Sequence, residues 1–189
     1  MAQEIEIEYK TLLTKQEYTS FLHALPFPKD AIIQTNYYFE TKNFALKDHR
    51  SALRIRKHAD NFTLTLKEPH HEGILETHDQ LTQSEFEQWI TNHPVPKENV
   101  LTQLTALDIS ITELIYCGSL QTERREFIKG GVTYVLDKSI YNHVTDYELE
   151  IEAPSKKQGQ VALQNLLEQF PVKKQQSITK IERFFNSLP

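Results

Sequence analysis

Apolar and polar residues alternate with a period of two over roughly eight short stretches, the signature of half-buried β-strands. They cover about residues 3–10, 33–40, 51–58, 61–68, 73–79, 120–129, 131–137 and 145–153. Gly130-Gly131, between Arg125-Glu126-Phe127-Ile128 and Val132-Thr133-Tyr134-Val135-Leu136, predicts a tight hairpin, and Ala59-Asp60-Asn61 predicts another. Helical spacing appears between and after these strands. Thr14-Lys15-Gln16-Glu17 has capping-box spacing ahead of Tyr18, Phe21, Leu22 and Leu25, and Thr82-Gln83-Ser84-Glu85 has it ahead of Phe86, Trp89 and Ile90. Further helices are expected over about 97–107, 155–170 and 177–187, the last with Ile178, Ile181, Phe185 and Leu188 as its apolar residues. Strands without regular strand-helix alternation indicate an α+β fold, an antiparallel sheet or closed barrel with helices attached.

The alternation also sorts charge. On the first strand Glu4, Glu6, Glu8 and Lys10 share one face and Ile5, Ile7 and Tyr9 the other, which spaces the carboxylates roughly 7 Å apart. Tyr147-Glu148-Leu149-Glu150-Ile151-Glu152 repeats the arrangement near the other end of the chain. Arg54 and Arg56 share a face opposite Leu53 and Ile55, and Lys67 lies beside Thr63 and Thr65, opposite Phe62, Leu64 and Leu66. Thr122, Arg124 and Glu126 share another, so only one of Arg124 and Arg125 faces the same way as these rows. Lys180 and Arg183, three apart on the last helix, lie on one side of it, clear of its apolar residues.

Any one such row is ordinarily a solvated surface. Together they are more informative, because outward-facing charges on every strand would leave the helices nothing apolar to pack on. The arrangement that satisfies both puts apolar faces under the helices and lines a central channel with Lys, Arg and Glu. Buried charges that lack partners cost several kcal/mol each, so such an interior needs water or ions. Arg forks and Lys point charges suit phosphate oxygens, and paired Glu carboxylates suit Mg²⁺ or Mn²⁺. A compact polyphosphate is the implied ligand. His70, His71 and His78 near Glu72 and Glu76 fit no zinc spacing and read as a solvated loop.

Composition adds limits. The 189 residues suffice for one well-buried domain, 1–189, and no internal repeat or low-complexity tract marks a boundary. A formal net charge of -5 argues against long nucleic acid or an anionic membrane as partner. The single cysteine, Cys117, an acidic N-terminus and the lack of an apolar run long enough to span a bilayer give the expectation of a cytoplasmic protein. Neither a Gly-x-x-x-x-Gly-Lys-Ser/Thr loop nor Gly-x-Gly-x-x-Gly is present, which removes the common nucleotide-binding loops.

Glu6-Ile7-Glu8-Tyr9-Lys10 resembles the Glu-x-Glu-x-Lys signature of the CYTH superfamily, the triphosphate tunnel metalloenzymes. The resemblance extends along the chain in family order: Arg54 and Arg56, Lys67, Glu76, Arg124, Asp137, Glu148-Leu149-Glu150, and Lys180 with Arg183. It is strongest to the uncharacterised single-domain bacterial members. It implies a closed eight-stranded antiparallel tunnel with helices packed on its outside, holding a small-molecule triphosphate and a divalent metal. Relatives hydrolyse tripolyphosphate, nucleoside triphosphates or thiamine triphosphate, and one branch forms cyclic AMP from ATP.

On this resemblance Lys10, Arg54, Arg56, Lys67, Arg124, Lys180 and Arg183 bind the substrate. Glu6, Glu8, Glu148 and Glu150 hold Mg²⁺ or Mn²⁺, and Glu6, Glu8 and Lys10 form the catalytic group. The alternatives are adenylate cyclisation and a module that binds a triphosphate without turnover. Two departures stand out. Thr122 occupies a position where many members carry lysine, leaving a phosphate contact missing or supplied by Arg125 or Lys138, and Glu4 and Glu152 extend both acidic rows.

Overall fold

The computed structural model describes residues 2–170, 172 and 178–188. Its elements are β1 (Gln3–Glu6), β2 (Glu8–Leu13), α1 (Lys15–Ala24), β3 (Ile32–Thr41), α2 (Ala45–Asp48), β4 (Ala52–His58), β5 (Asn61–Pro69), β6 (Ile74–Leu81), α3 (Gln83–Ile90), α4 (Glu98–Ala106), β7 (Leu114–Lys129), β8 (Val132–Tyr141), β9 (Val144–Glu152), α5 (Lys156–Gln169) and α6 (Lys180–Asn186). The class is α+β, and the strand order is β1-β6-β5-β4-β3-β7-β8-β9-β2. Among the described residues nine strands replace the eight expected, because the first is broken at Ile7. There the Ile7 carbonyl accepts the Ala153 N–H at 3.0 Å.

The chain divides into two compact units, each assembled from separated segments: residues 1–5 with 34–120, and residues 6–33 with 121–189. In the first unit β3, β4, β5 and β6 pair antiparallel in that order. Residues opposite one another in an antiparallel pair share a face. Phe39, Leu53, Ile55, Phe62, Leu64, Leu66 and Leu81 thereby form one apolar face, and Phe86 and Trp89 of α3 with Val100 and Leu104 of α4 pack on it. Thr82 and Glu85 close the expected capping box at the start of α3.

In the second unit β7–β8, β8–β9 and β9–β2 pair antiparallel. Leu13, Leu136, Leu149 and Ile151 pack against Tyr18 and Phe21 of α1 and Ala162 and Leu166 of α5. The Thr14–Glu17 capping box starts α1. Gly130 and Gly131, at φ 60° and 77°, make the two-residue turn that joins β7 to β8, as expected. Asn142 and His143, at φ 42° and 65°, make a comparable turn between β8 and β9.

The last helix differs from its expectation. The expected first residue, Ser177, lies outside the described residues, and α6 starts at Lys180 behind a Thr179–Glu182 capping box. Its buried residues are Arg183 and Phe184, whereas Ile178 is exposed and Ile181 and Phe185 are half-buried. The helix therefore docks by its charged side. Among the described residues no helix is long and apolar enough to cross a membrane.

Candidate functional site

In each unit the sheet face turned away from the packed helices carries the ionic residues. The register of the second unit aligns Glu8 with Glu152, Lys10 with Glu150, Asp137 with Glu148 and with Arg124. Burial is deep here: Asp137 and Glu148 are 0% exposed and Glu150 6%. Groups this buried are tolerated only when paired, and they are paired densely.

Arg124 grips Asp137 with two parallel hydrogen bonds, Nε to Oδ1 at 3.0 Å and a terminal nitrogen to Oδ2 at 2.8 Å. The same nitrogen donates to Glu150 Oε2 at 2.8 Å. From α6, Lys180 Nζ reaches Asp137 Oδ2 at 2.6 Å, Glu148 Oε2 at 3.3 Å and Glu150 Oε1 at 3.4 Å. Arg183 donates to Glu148 Oε2 at 3.1 Å, Asp146 Oδ2 at 2.9 Å and the Ile178 carbonyl at 2.8 Å. Lys10 is ion-paired with Glu8. Burial works against the charged forms of Lys10, Arg124, Lys180 and Arg183. The neighbouring carboxylates outweigh it, so all four pKa values lie above their ordinary ranges. These cations remain charged at any physiological pH.

The first unit has its own charged face. Arg54 stands opposite Tyr38 and Thr65, Arg56 opposite Asn36 and Thr63, and Lys67 opposite Glu76. Lys67 is ion-paired with Glu76, Arg56 Nε donates to Asn36 Oδ1 at 3.1 Å, and one Arg54 nitrogen lies 4.0 Å from Glu76. Arg54 Nε is buried without a hydrogen-bond acceptor. A guanidinium held this way retains donor capacity for an anion.

The structure thus groups Lys10, Glu8, Arg124, Glu148, Glu150, Lys180 and Arg183 in one unit and Arg54, Arg56 and Lys67 in the other. Glu6 ends β1 before the break at Ile7, so the expected continuous row of Glu4, Glu6, Glu8 and Lys10 on one strand does not form. Glu4 instead meets His78, 3.3 Å from its Nε2, and His78 Nε2 lies 3.5 Å from Glu76 Oε2. His70, His71 and Glu72 cluster separately in the β5–β6 connection.

Arg124, not Arg125, takes the charged face. Arg125 turns to the helix-covered side, donating to Tyr18 Oη at 2.9 Å, and Lys138 on that side pairs with Glu123 at 2.7 Å. Neither replaces the lysine that Thr122 displaces. Thr122 is itself fully buried, 3.3 Å from the Ser139 hydroxyl. Asp146 was missed in the sequence, although strand parity places it in line with Glu148, Glu150 and Glu152.

The fold and the site define the class: an α+β protein whose antiparallel sheet packs helices on one face and buries ionic rows on the other. The CYTH domain model matches residues 4–185, and the chain belongs to the CYTH domain family. It is 42% identical to the Bacillus subtilis protein named "Putative triphosphatase YjbK" over 98% of this chain and 96% of that one. The crystal structure of a "putative adenylate cyclase" from Bacillus halodurans superposes with a TM-score of 0.92 at 38% identity, covering 98% of this chain and 100% of the other. HpAC1 from Hippeastrum, for which a dominant triphosphatase activity is described, gives a TM-score of 0.79 at 21% identity, with 96% of each chain covered. At that identity the likeness shows the fold alone.

Proposed function

We propose that this protein is a divalent-metal-dependent triphosphatase acting on a small triphosphate: tripolyphosphate, a nucleoside triphosphate or thiamine triphosphate. The observation that carries the proposal is the buried ionic face of the second unit. Asp137, Glu148 and Glu150, almost wholly removed from water, are packed with Arg124, Lys180 and Arg183. A merely structural sheet gains little from such a network, since apolar residues of similar volume do as well or better.

The donor set is all carboxylate oxygen, which fits Mg²⁺ or Mn²⁺ at Glu6, Glu8, Glu148 and Glu150. When bound, such an ion supplies charge neutralisation on phosphate oxygens and acidifies a water molecule. The chain's own residues do the rest. In the second unit Lys10, Arg124, Lys180 and Arg183 bind phosphate oxygens, and in the first Arg54, Arg56 and Lys67 do so, the guanidiniums bidentately and the ammoniums as point charges. Their fixed positive charge favours the phosphoryl oxygens as negative charge redistributes in transfer to water. Glu6 or Glu8 accepts the proton of the attacking water, with Lys10 ion-paired to Glu8 setting the carboxylate's orientation. The closed eight-stranded tunnel and a single domain over the whole chain are part of this proposal.

The test is orthophosphate release by the purified protein from tripolyphosphate, ATP and thiamine triphosphate, with Mg²⁺, Mn²⁺ or EDTA. Release from at least one substrate that EDTA abolishes is expected; no release from any of them refutes the proposal. The name carried by the Bacillus halodurans relative favours cyclic AMP formation as the second reading, and the ATP arm distinguishes it by product.

A further inference from the structure

Lys180 sits where its ammonium and a divalent ion would claim the same oxygens. Its Nζ is within 3.4 Å of three carboxylates, Asp137, Glu148 and Glu150, which are themselves buried. Mg²⁺ or Mn²⁺ takes carboxylate oxygens at about 2.0–2.2 Å and requires a nearly complete oxygen shell. At Glu148 Oε2 and Glu150 Oε1 the ammonium and a divalent ion would repel each other across the same oxygens.

The other cations of the cluster are held differently. Arg183 is tied to the Ile178 carbonyl and to Asp146 as well as to Glu148, and Arg124 is locked bidentately on Asp137. Every ion pair of Lys180 is to a carboxylate, and its flexible four-carbon stem springs from the first residue of α6. The helix does not need Lys180 to stay docked, since Arg183 and the fully buried Phe184 hold it from the next turn.

We infer that Lys180 is a resident counter-ion of the carboxylate site, displaced from Glu148 and Glu150 when a divalent cation loads there and thereby released to bind substrate phosphate. The inference rests on the proposed function and adds an order to it: the metal must outcompete an internal ammonium, and the lysine reaches phosphate only after that exchange. The protein's own metal affinity is accordingly set below what its carboxylates alone would give.

The experiment is Mn²⁺ binding to the full-length protein without substrate, read from the paramagnetic resonance signal of free Mn²⁺. Lys180→Met is expected to bind Mn²⁺ about tenfold or more tightly than the wild type, because the ammonium no longer has to leave. Lys180→Arg keeps the charge and should bind no more tightly than wild type, which separates loss of the ammonium from disturbance of α6. Lys138→Met removes a cation of the same unit that pairs with Glu123 on the helix-covered side and should leave the Mn²⁺ affinity unchanged. Glu148→Gln added to Lys180→Met should abolish the gain.

Equal Mn²⁺ affinity in wild type and Lys180→Met, a loss in Lys180→Met, or an equal gain in Lys138→Met overturns the exchange. The two readings fail separately. Hydrolysis with unchanged affinity in Lys180→Met sinks the exchange and leaves the triphosphatase, whereas the expected affinity pattern without turnover of any triphosphate does the reverse.

Discussion

Asp137→Asn tests the energetic core of the ionic network. The substitution keeps the shape of a side chain that is 0% exposed and removes the charge that holds Arg124 by two hydrogen bonds and Lys180 by one at 2.6 Å. Removing one member of a buried ionic pair typically costs about 3–5 kcal/mol, because the partners remain buried. Here the lower end applies. Arg124 keeps Glu150 at 2.8 Å and Lys180 keeps Glu148 and Glu150 at 3.3 and 3.4 Å, so neither cation is stranded. A loss of about 3 kcal/mol is expected, and with a urea slope of roughly 2 kcal/mol/M the unfolding midpoint falls by about 1.5 M. The only tryptophan, Trp89, belongs to the other unit, so unfolding is best followed by far-UV circular dichroism. The cycle with Arg124→Met should show a coupling of at least about 1 kcal/mol. A midpoint shift under about 0.3 M would refute the reasoning, since it would mean that these ion pairs are solvated and inexpensive to break.

The remaining predictions concern other parts of the molecule. Burial, then the hydrogen bond to Asp146 at 2.6 Å and its charge, pushes the Tyr141 hydroxyl up to about 12. A phenol whose folded pKa is raised contributes stability fully present below the ordinary value near 10 and lost as pH rises toward 12. In tyrosinate absorbance titrations of the folded protein, Tyr141→Phe should therefore delete a late-ionising component; an unchanged curve would count against the assignment. A Cβ at Gly159 would lie 2.4 Å from the Tyr9 ring, so Gly159→Ala should lower thermal stability by about 1–3 kcal/mol despite alanine's better helix propensity. Pairing it with Tyr9→Leu should restore most of that, which a thermal melt of the double variant checks. Arg54→Ala should raise the KM for the hydrolysed triphosphate about tenfold or more, with less effect on kcat, if its guanidinium binds phosphate in the ground state; an unchanged KM excludes Arg54 from the site.

Strand parity carried most of what was legible in the sequence. A period of two fixes which residues share a face, and unbroken runs such as Leu53-Arg54-Ile55-Arg56 and Tyr147 to Glu152 leave little choice about which face seeks a hydrophobic core. Parity left Arg124 and Arg125 ambiguous because each side of that run contains both an arginine and a glutamate. The structure resolves it through the partners across the ladder, Asp137 for Arg124 and Leu136 for Arg125. The break at Ile7 leaves no trace in the alternation, since it depends on a backbone bond to Ala153. The short helix α2 was missed for a related reason: its free N–H groups at Leu46 and Lys47 are capped by Glu40, six and seven residues away, through bonds of 3.0 Å. Helical spacing picks out Ile178, Ile181, Phe185 and Leu188 for the last helix, whereas the apolar residue that α6 buries is Phe184, and Lys180 and Arg183 share the ionic side that their own spacing predicts. A helix beside a row of buried carboxylates gains more from placing Lys180 and Arg183 against them, with Phe184 alone filling the apolar contact.

Net charge proved the least transferable quantity, because the two charged faces have opposite balances. On the face of the second unit Glu8, Asp137, Asp146, Glu148, Glu150 and Glu152 outnumber Lys10, Arg124, Lys180 and Arg183. On that of the first unit Arg54, Arg56 and Lys67 outnumber the carboxylates available to them, Glu4 and Glu76, since a third, Glu40, is taken up by the backbone N–H groups of Thr41, Leu46 and Lys47. A surplus of buried carboxylate is relieved by a divalent cation, and a surplus of guanidinium and ammonium by phosphate oxygens. The overall value of -5 averages the two faces with the ordinary surface and so hides the feature that selects the ligand. Within the second unit a metal at Glu148 and Glu150 cancels carboxylate charge beside Arg124, Lys180 and Arg183, so on the proposed function metal and triphosphate should bind with positive coupling, each tightening the other by the same factor. Calorimetric titration of tripolyphosphate with and without Ca²⁺, a divalent ion that supports little phosphoryl transfer, measures that factor after correction for metal binding to the free polyanion. A factor of one would show that the carboxylates and the cations of this face answer to separate ligands.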